Sequence, residues 1–278
     1  MNIDSIDSIV LDSLSELINL IPNGATLALP ADYGGSPGEA AREIIRQGKT
    51  HLKIIGGPPT GYVSDLLIGA GVVDTIECPG IILGDFGLAP RFRAAITAGT
   101  LKVIDTTCPA FHASIAAAQK GLPFMPIRGL LGSDVLKVHR EWRIINNPFD
   151  LDTGVDPIVL IPAYQPEFLL FHARYGDRYG NVWIGKNFEV KAMAQAAKNV
   201  LVTFEKLYDG NLLEDSKLAP STIASFYLRA TTQVEHGTYP IFLGNEHSTD
   251  VEHMTMYAQS AKTSKDFRNY LNQYVFKG

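Results

Sequence analysis

The sequence predicts an α/β fold in which helices cover a mostly parallel β-sheet. Short apolar runs alternate with segments of helical periodicity through most of the chain. The runs are apolar at consecutive positions, which is typical of parallel strands that are buried on both faces. Glycine-rich loops follow several of these runs, and ligands of such sheets bind where loops leave the carboxyl ends of strands.

The first half of the chain shows the clearest alternation. A helix is predicted over 8–21, where apolar residues recur at helical intervals, and Pro22-Asn23-Gly24 ends it in a turn. After this turn we predict, in order, a strand over 25–29, a helix over 39–47, a strand over 52–55, a helix over 63–68, a strand over 73–77, a helix over 91–98, a strand over 101–104 and a helix over 110–120.

The second half is less regular, and its region 130–147 is polar and predicted to be rich in loops. No linker, repeat or low-complexity tract divides the chain, so a single domain over 1–278 is expected. We predict strands over 158–161, 168–171, 182–184 and 200–204, and helices over 189–198, 251–262 and 264–274.

The stretch FHARYGDRYGNVWIG (171–185) has two interpretations. In the one we favour it is a turn between two buried strands, with Asp177 and Asn181 as turn formers and the charged side chains in water. His172 is then a hydrogen-bonded core or interface histidine. In the alternative, His172 and Asp177 line the functional site.

Composition limits the partners of this protein. Of its 278 residues, 46% are hydrophobic and 19% are charged, which suits a well-packed globular fold. The formal net charge is −5 and Lys and Arg do not cluster, so we expect neither nucleic acid nor a membrane as a partner. The first residues, MNIDSIDSIV, lack the basic and apolar regions of a signal peptide, and a cytoplasmic location is expected.

The two cysteines, Cys78 and Cys108, stand apart without a CxxC pair, so neither a disulfide framework nor a zinc site is expected. Neighbouring His, Asp and Glu residues also lack metal-ligand spacing, and we expect no metal. Cys108 is a weak candidate for a catalytic nucleophile, because no His is paired with it in the sequence.

The glycine-rich loop after the first predicted strand is a candidate for ligand binding. Gly34 and Gly35 permit close approach of a ligand to the backbone, and Ser36 precedes a helix N-terminus, which favours anions. Gly56 and Gly57 offer the same chemistry in the next loop. In the alternative interpretation both are ordinary strand-to-helix loops.

Four further residues are weaker candidates. Gly84 and Phe86 flank Asp85, which either faces a ligand as a catalytic or binding group or serves only as a turn former. Ser133 follows a glycine and is either a hydroxyl donor to a ligand or part of a Ser/Thr turn. We favour the turn for both.

Eight segments in a common order resemble the α subunit of family I coenzyme A-transferases, the group that contains glutaconate CoA-transferase. The resemblance runs nearly from end to end. The segments are IPNGATLAL (21–29), IIGGPPTG (54–61), DLLIGAGVVDTI (65–76), LAPRFRAAITAGTL (88–101), GLPFMPIRGLLGSDV (121–135), HARYGDRYGNVWIG (172–185), AAKNVLVTFEKL (196–207) and SAKTSKDF (260–267).

The resemblance implies the α/β fold that CoA-transferases share with ribose-phosphate isomerases, and a working unit of homologous α and β subunits. In the family, an acyl-CoA thioester is attacked by a glutamate of the β subunit, which becomes a glutamyl-CoA thioester after an anhydride stage. This chain would then supply part of the pocket wall, without the catalytic residue. The implied partners are a β-type subunit in a heterodimer or heterotetramer, an acyl-CoA and a small carboxylic acid; coenzyme A is a substrate, with no tightly bound cofactor.

Three segments depart from the pattern of the family. PADYGGSP (30–37) replaces a Gly-Gly-Phe-Gly-like turn, and Pro30 removes one backbone donor. DTTCP (105–109) stands where acidic residues and a glycine are usual, and GTYP (237–240) replaces Gly-Ala-His-Pro. These changes predict an altered substrate or a subunit that no longer catalyses the family reaction.

Three alternatives to a transferase subunit remain open. One is a CoA-thioester hydrolase of the same architecture, as in a steroid-degrading relative of the family whose α-like chain carries a glutamate near the position of Cys108. The others are a non-catalytic subunit for ligand binding or scaffolding, and a sugar-phosphate isomerase of the shared fold. If the chain is a transferase subunit and the loop after the first strand binds ligand, Gly35→Val is expected to impair the activity of the assembled complex without unfolding it.

Overall fold

The fold is described by a computed structural model, which covers residues 9–150 and 154–277. Its helices are α1 (Leu14–Asn19), α2 (Gly38–Arg46), α3 (Tyr62–Gly69), α4 (Pro90–Ala98), α5 (Cys108–Gln119), α6 (Val135–Val138), α7 (Phe188–Ala196), α8 (Val251–Ser260) and α9 (Ser264–Tyr274). Its strands are β1 (Thr26–Leu29), β2 (Leu52–Gly56), β3 (Val73–Cys78), β4 (Lys102–Asp105), β5 (Phe124–Ile127), β6 (Arg143–Asn146), β7 (Pro157–Pro162), β8 (Phe168–Asp177), β9 (Val182–Trp183), β10 (Asn199–Tyr208), β11 (Thr222–Ile223) and β12 (Ala230–Gln233).

The central sheet is mostly parallel, as predicted. Its parallel strands lie in the order β12-β10-β8-β1-β2-β3-β4. The short strand β9 pairs antiparallel with the outer half of β8, and β11 pairs antiparallel with β9. The alternation of apolar runs and helical patterns therefore predicted the fold class correctly.

Apolar side chains are buried on both faces of this sheet, which explains why its strands are apolar at consecutive positions. On β1, Leu27 and Leu29 belong to a core with side chains of α1, α2, α3, α8 and α9, whereas Ala28 belongs to a core with α5 and α7. Burying each leucine stabilises the fold by about 1.5–3 kcal/mol. The two cores fix the sheet between its helix layers.

A second, antiparallel sheet with the strand order β5-β7-β6 was not predicted. It packs on α5 through Val159 and Ile161. Its outer strand β6 is exposed along its length, and the neighbouring residues Ile144 and Ile145 are both exposed although they point to opposite faces. The sequence here therefore lacks the buried pattern that identifies a strand.

Two predicted elements have different limits in the structure. Helix α1 begins only at Leu14, where Ser13 is the N-cap and its hydroxyl accepts a hydrogen bond from the N–H of Glu16. Residue 8 of the predicted helix lies outside the described residues. Strand β8 continues to Asp177, so His172 lies within a strand and the turn of 171–185 begins later than predicted.

Within the described residues, none of the helices has the length and apolar character needed to cross a membrane.

Candidate functional site

The strand order of the central sheet reverses at β1, because the chain runs outward through β2, β3 and β4 and later returns to β8 on the other side. Open α/β sheets bind ligands at the carboxyl ends of strands beside such a reversal. β1 ends at Leu29 while β8 continues to Asp177, so the loop after β1 lies along the second half of β8. A cavity of about 440 Å³ opens at this step.

We call this space the switch-point cavity. Its wall comes from four parts of the chain: residues 33–35 of the loop after β1, residues 172–174 of β8, Ile184 with residues 186–189 at the start of α7, and residues 242–244 between β12 and α8. The predicted candidates Gly34 and Gly35 are therefore in the wall.

Gly35 joins the first two parts of the wall. Its φ of 82° is one that residues with a side chain rarely adopt. Its carbonyl oxygen accepts a hydrogen bond from the N–H of His172 (2.8 Å), and a Cβ at this position would overlap the carbonyl oxygen of His172. The expectation that Gly35→Val leaves the fold intact is therefore wrong, because valine has no room here.

Asp32 braces the loop after β1. One carboxylate oxygen accepts a hydrogen bond from the N–H of Tyr62, at the start of α3, and the other accepts one from the hydroxyl of Ser36, each at 3.3 Å. Burial raises the pKa of Asp32 to about 6, although these hydrogen bonds act in the opposite direction. The aspartate that departs from the family pattern thus caps α3, and Ser36 is bonded within the loop.

Two cationic side chains belong to the wall of the switch-point cavity. The guanidinium of Arg174 lies 5.4 Å from the centre of the Trp183 ring and has no carboxylate within 4.0 Å among the described residues. Lys186 is exposed. Phe188 and Phe242 add exposed aromatic surface. The cavity therefore combines positive charge with apolar area, which suits an organic anion.

Glu189 forms a polar cluster at the edge of the same cavity. The hydroxyl of Tyr33 donates a hydrogen bond to Oε2 of Glu189 (3.1 Å), and Nε2 of His112 lies 4.0 Å from that oxygen. The other oxygen, Oε1, is buried without a hydrogen-bond partner among the described residues. Burial raises the pKa of Glu189. Burial, followed by the charge of Glu189, also raises the pKa of Tyr33 to about 12.

Gly57 allows two loops to meet beside Glu189. Its N–H donates to the carbonyl oxygen of Leu29 (2.8 Å), and a Cβ here would lie 2.8 Å from the backbone nitrogen of Ala31 and 2.9 Å from Oε1 of Glu189. A larger residue would push the loops apart. Gly56 lies behind it, against the side chains of Thr60 and Cys78.

The other candidates lie outside the lining of the switch-point cavity. Gly84, Asp85 and Phe86 form a 3₁₀ turn in which Asp85 is exposed and Phe86 packs partly against the core. The hydroxyl of Ser133 accepts a hydrogen bond from the N–H of Val135 (3.3 Å), which is the predicted Ser/Thr turn. The thiol of Cys108 is free and the residue is exposed at the start of α5.

The stretch 171–185 combines both of its interpretations. Asp177 is a turn former that accepts hydrogen bonds from the N–H groups of Tyr179 and Asn181, but it is fully buried, so the expectation that it faces water is wrong. His172 is a buried, hydrogen-bonded core residue, as favoured, and it also belongs to the cavity wall.

Sequence reasoning missed the charged residues of this site. Arg174 lies in the segment 171–185, which was interpreted as a turn. Lys186 lies between a predicted strand and a predicted helix, and Glu189 lies at the start of that helix. One signal in the sequence was Asn187, an N-cap residue whose side chain accepts a hydrogen bond from the N–H of Val190. It marks the start of α7 and so places Glu189 in the first turn of that helix. A spacing rule also missed one potential metal-ligand group, because its members Glu205, His236 and His247 are distant in the sequence.

Comparison with known proteins identifies relatives over most of the chain, although no family model matches the sequence. An uncharacterized protein of Archaeoglobus fulgidus is 31% identical over 84% of this chain and 52% of that protein, so the chain spans about half its length. A 3-oxoadipate CoA-transferase subunit of Pseudomonas knackmussii is 29% identical, over 92% of this chain and 89% of that subunit. A cholesterol ring-cleaving hydrolase subunit of Rhodococcus jostii is 26% identical, over 95% and 90%.

The glutaconate CoA-transferase of Acidaminococcus fermentans is similar in both sequence and structure. One subunit of that enzyme is 29% identical over 86% of this chain and 79% of its own length. The crystal structure superposes with a TM-score of 0.88, over 98% of this chain and 90% of that chain, at 26% identity. The fold and these relatives show that the chain is similar to CoA-transferase subunits. Its similarity to a subunit of glutaconate CoA-transferase confirms the resemblance identified from the sequence motifs.

Proposed function

We propose that this chain is the α-type subunit of a CoA-transferase-like enzyme, which moves CoA between an acyl-CoA thioester and a small carboxylic acid. The observation that carries the proposal is the switch-point cavity. In it, Arg174 and Lys186 lie beside the glycine backbone of the loop after β1, at the carboxyl edge of the sheet. The close superposition on glutaconate CoA-transferase supports the same reaction class.

In the proposed reaction this chain binds and orients, and a partner supplies the nucleophile. The thioester carbonyl is attacked by a glutamate of a β-type subunit, and an anhydride forms as the CoA thiolate leaves. The thiolate then attacks the glutamyl carbonyl, which releases the first acid and leaves a glutamyl-CoA thioester. The acceptor acid repeats both steps in reverse. Arg174 and Lys186 neutralise the negative charge of carboxylate or phosphate groups on the substrates. Coenzyme A is one of these substrates and is not a tightly held cofactor.

Exposed apolar surface supports a partner subunit. Both faces of β6 expose isoleucines, Ile144 and Ile145, and Phe124 of β5 is also exposed. β4 lies at the end of the strand order of the central sheet, and its Val103 is exposed. Edge strands with exposed apolar side chains are typical of protein interfaces. The relatives named as CoA-transferase subunits are components of enzymes with further subunits, which agrees with this surface.

A CoA-thioester hydrolase is the second candidate function, and Glu189 favours it. In that reaction water takes the place of the acceptor acid. Glu189 projects from α7 to within 4.0 Å of His112 on α5, the helix that begins with Cys108. It is a partly buried carboxylate with a raised pKa, which suits a general base for water. The ring-cleaving relative from Rhodococcus jostii agrees with this alternative.

The first experiment is to purify the tagged chain from its own cells and to identify proteins present in stoichiometric amount. The purified assembly is then given a panel of acyl-CoA esters, and free thiol and new acyl-CoA are measured with and without added carboxylic acids. Transfer that requires an acceptor supports the leading proposal.

Release of thiol without an acceptor, abolished by Glu189→Gln, supports the hydrolase. A chain that purifies alone and binds acyl-CoA without turnover contradicts both and supports the non-catalytic alternative. The matched control for Glu189→Gln is Glu16→Gln, at an exposed position of α1. It should leave thiol release unchanged.

A further inference from the structure

A group of potential metal ligands lies near β10, which pairs with β8 on the side opposite β1. It combines Glu205 of β10, His236 after β12 and His247 before α8. One ligand atom from each lies within 4.8 Å of the other two. We propose that this group binds one divalent transition-metal ion of the zinc type.

Glu205 provides an anionic ligand that is already positioned. The residue is buried, its Oε1 accepts a hydrogen bond from the backbone N–H of His236 (2.9 Å), and its Oε2 accepts one from Nε2 of His172 (3.1 Å). Each carboxylate oxygen can accept two bonds, so one remains for a metal on either oxygen. Hydrogen bonds to a ligating carboxylate are the usual outer support of a metal site.

His172 holds this support in place. The carboxylate of Glu205 can only accept a hydrogen bond, so Nε2 of His172 carries the proton. In a neutral imidazole Nδ1 then accepts a hydrogen bond from the hydroxyl of Thr203, 2.8 Å away. A Cβ on Gly237 would overlap the imidazole ring, so the loop after β12 packs directly on His172. His172 of β8 therefore positions both Glu205 and the loop after β12, which carries His236.

His247 provides an imidazole ligand whose Nε2 lacks a hydrogen-bond partner among the described residues. Its Nε2 is buried, has no hydrogen-bond partner among the described residues and lies 3.7 Å from Oε2 of Glu205. A buried polar atom without a partner destabilises a fold unless something satisfies it. Two ligands of one zinc ion, each about 2.0–2.1 Å from the metal, lie up to about 4.2 Å apart, so the 3.7 Å separation suits a metal between them.

His236 provides the third ligand from a strained backbone. Its φ is 54°, which is unfavourable for a residue with a side chain, and strain of this kind is often retained at functional positions. Its ring lies 5.6 Å from that of His247, centre to centre. The side chain is exposed, so a change of rotamer can bring its nitrogen within bonding distance.

The chemistry of the group selects the class of metal. Two imidazoles and one carboxylate are ligands of zinc and similar transition metals, whereas calcium and magnesium prefer oxygen ligands alone. The site opens into a cavity of about 600 Å³ whose wall includes Glu235 and the ion pair of Lys206 with Glu246, so remaining coordination positions face solvent. A bound ion would link β10 to the segment that carries residues 242–244 of the switch-point cavity wall.

The test uses the full chain, stripped of metal with a chelator and titrated with Zn²⁺ in competition with a chromophoric chelator. We expect one equivalent to bind, and Co²⁺ to give the visible absorption of a site with nitrogen ligands. His236→Asn and His247→Asn should each weaken Zn²⁺ binding at least about tenfold, because loss of even an outer partner of a metal site has an effect of this size.

The matched control is His51→Asn. His51 is also exposed, has a φ of 60° and lies 2.7 Å from a carboxylate oxygen of Asp74, but it is not part of the cluster. The His51→Asn variant should bind Zn²⁺ with the affinity of the wild type. Absence of saturable binding, or equal affinity in all three variants, would overturn the proposal. Circular dichroism of each variant before titration separates lost ligands from lost fold, and none of these readouts depends on enzyme activity.

Discussion

The backbone N–H of His172 donates to the carbonyl oxygen of Gly35, 2.8 Å away, and this bond joins the loop after β1 to the middle of β8. The imidazole of the same histidine bonds to Glu205 on β10. One residue therefore connects the wall of the switch-point cavity to the group of Glu205, His236 and His247. Binding in either place is expected to alter affinity in the other, and the effect must be reciprocal.

Gly35→Ala should destabilise the fold markedly more than Gly24→Ala. The two glycines have φ values of 82° and 78°, but a Cβ on Gly24 meets nothing within 4 Å, whereas a Cβ on Gly35 overlaps the carbonyl oxygen of His172. Backbone strain alone should cost about 1 kcal/mol at either position, and the overlap should add about 1–3 kcal/mol at Gly35. Urea denaturation measures both, and equal losses would contradict the close contact.

Arg174→Met should weaken substrate use by the assembled complex. Removing one charge that pairs with a substrate anion is expected to lower kcat/KM by about tenfold or more, mainly through KM, since a charged hydrogen bond contributes about 1.5–3 kcal/mol. Arg178→Met is the control, because Arg178 lies over the Tyr179 ring outside the cavity lining. Steady-state kinetics with several acyl-CoA esters decides, and unchanged KM would remove Arg174 from the binding site.

Glu189→Gln should stabilise the protein at neutral pH. Burial raises the pKa of Glu189, so the ionised carboxylate is less favourable in the folded state than in the unfolded state. The variant lacks this penalty, so we expect a gain in Tm over the wild type at pH 7. The gain should disappear at low pH, where the wild-type carboxyl is protonated. Thermal unfolding at both pH values measures it, and a loss of stability at pH 7 would contradict this account.

Asp65 should make the stability of the fold depend on pH. Burial raises its pKa to about 6, with hydrogen bonds from the N–H of Phe92 and the hydroxyl of Tyr257 acting against the shift. A carboxyl with a raised pKa in the folded state contributes fully below about pH 4, and the contribution is lost as the pH rises through 6. Relative to Asp65→Asn, the wild type should lose up to about 3 kcal/mol of unfolding free energy between pH 4 and 7.

The control for this measurement is Asp85→Asn, at an exposed position. Its unfolding free energy should follow the wild-type pH dependence. Parallel curves for Asp65→Asn and the wild type would show that Asp65 is not the source.

The sequence predicted those parts of the fold that its own local pattern determines. Strands such as β1 and β2 are apolar on both faces, so consecutive apolar residues identified them. The second half of β8 is polar, and its strand structure depends on pairing with β10, which no local pattern reveals. Of the small sheet, the sequence predicted the central strand β7 (158–161) but not β6, which has no buried side to mark it.

Of the residues in the cavity wall, the sequence indicated Gly34 and Gly35 and, in the alternative interpretation of 171–185, His172. Gly34 and Gly35 were found because a glycine-rich loop after a strand is recognisable, and the structure places both in the cavity wall. Arg174, Glu189 and Glu205 were not found, since their roles arise from neighbours brought together by the topology. A charged residue in isolation is equally compatible with a solvated surface.

The exposed strands β4 and β6 bear on how the protein can be handled. Among the described residues nothing pairs with the outer edge of β4, and β6 presents isoleucine on both sides. Exposed edge strands pair with the same strand of another copy of the chain when the partner subunit that covers them is absent. Recombinant chain made by itself should therefore form concentration-dependent aggregates, and production together with its natural companion should keep it dispersed.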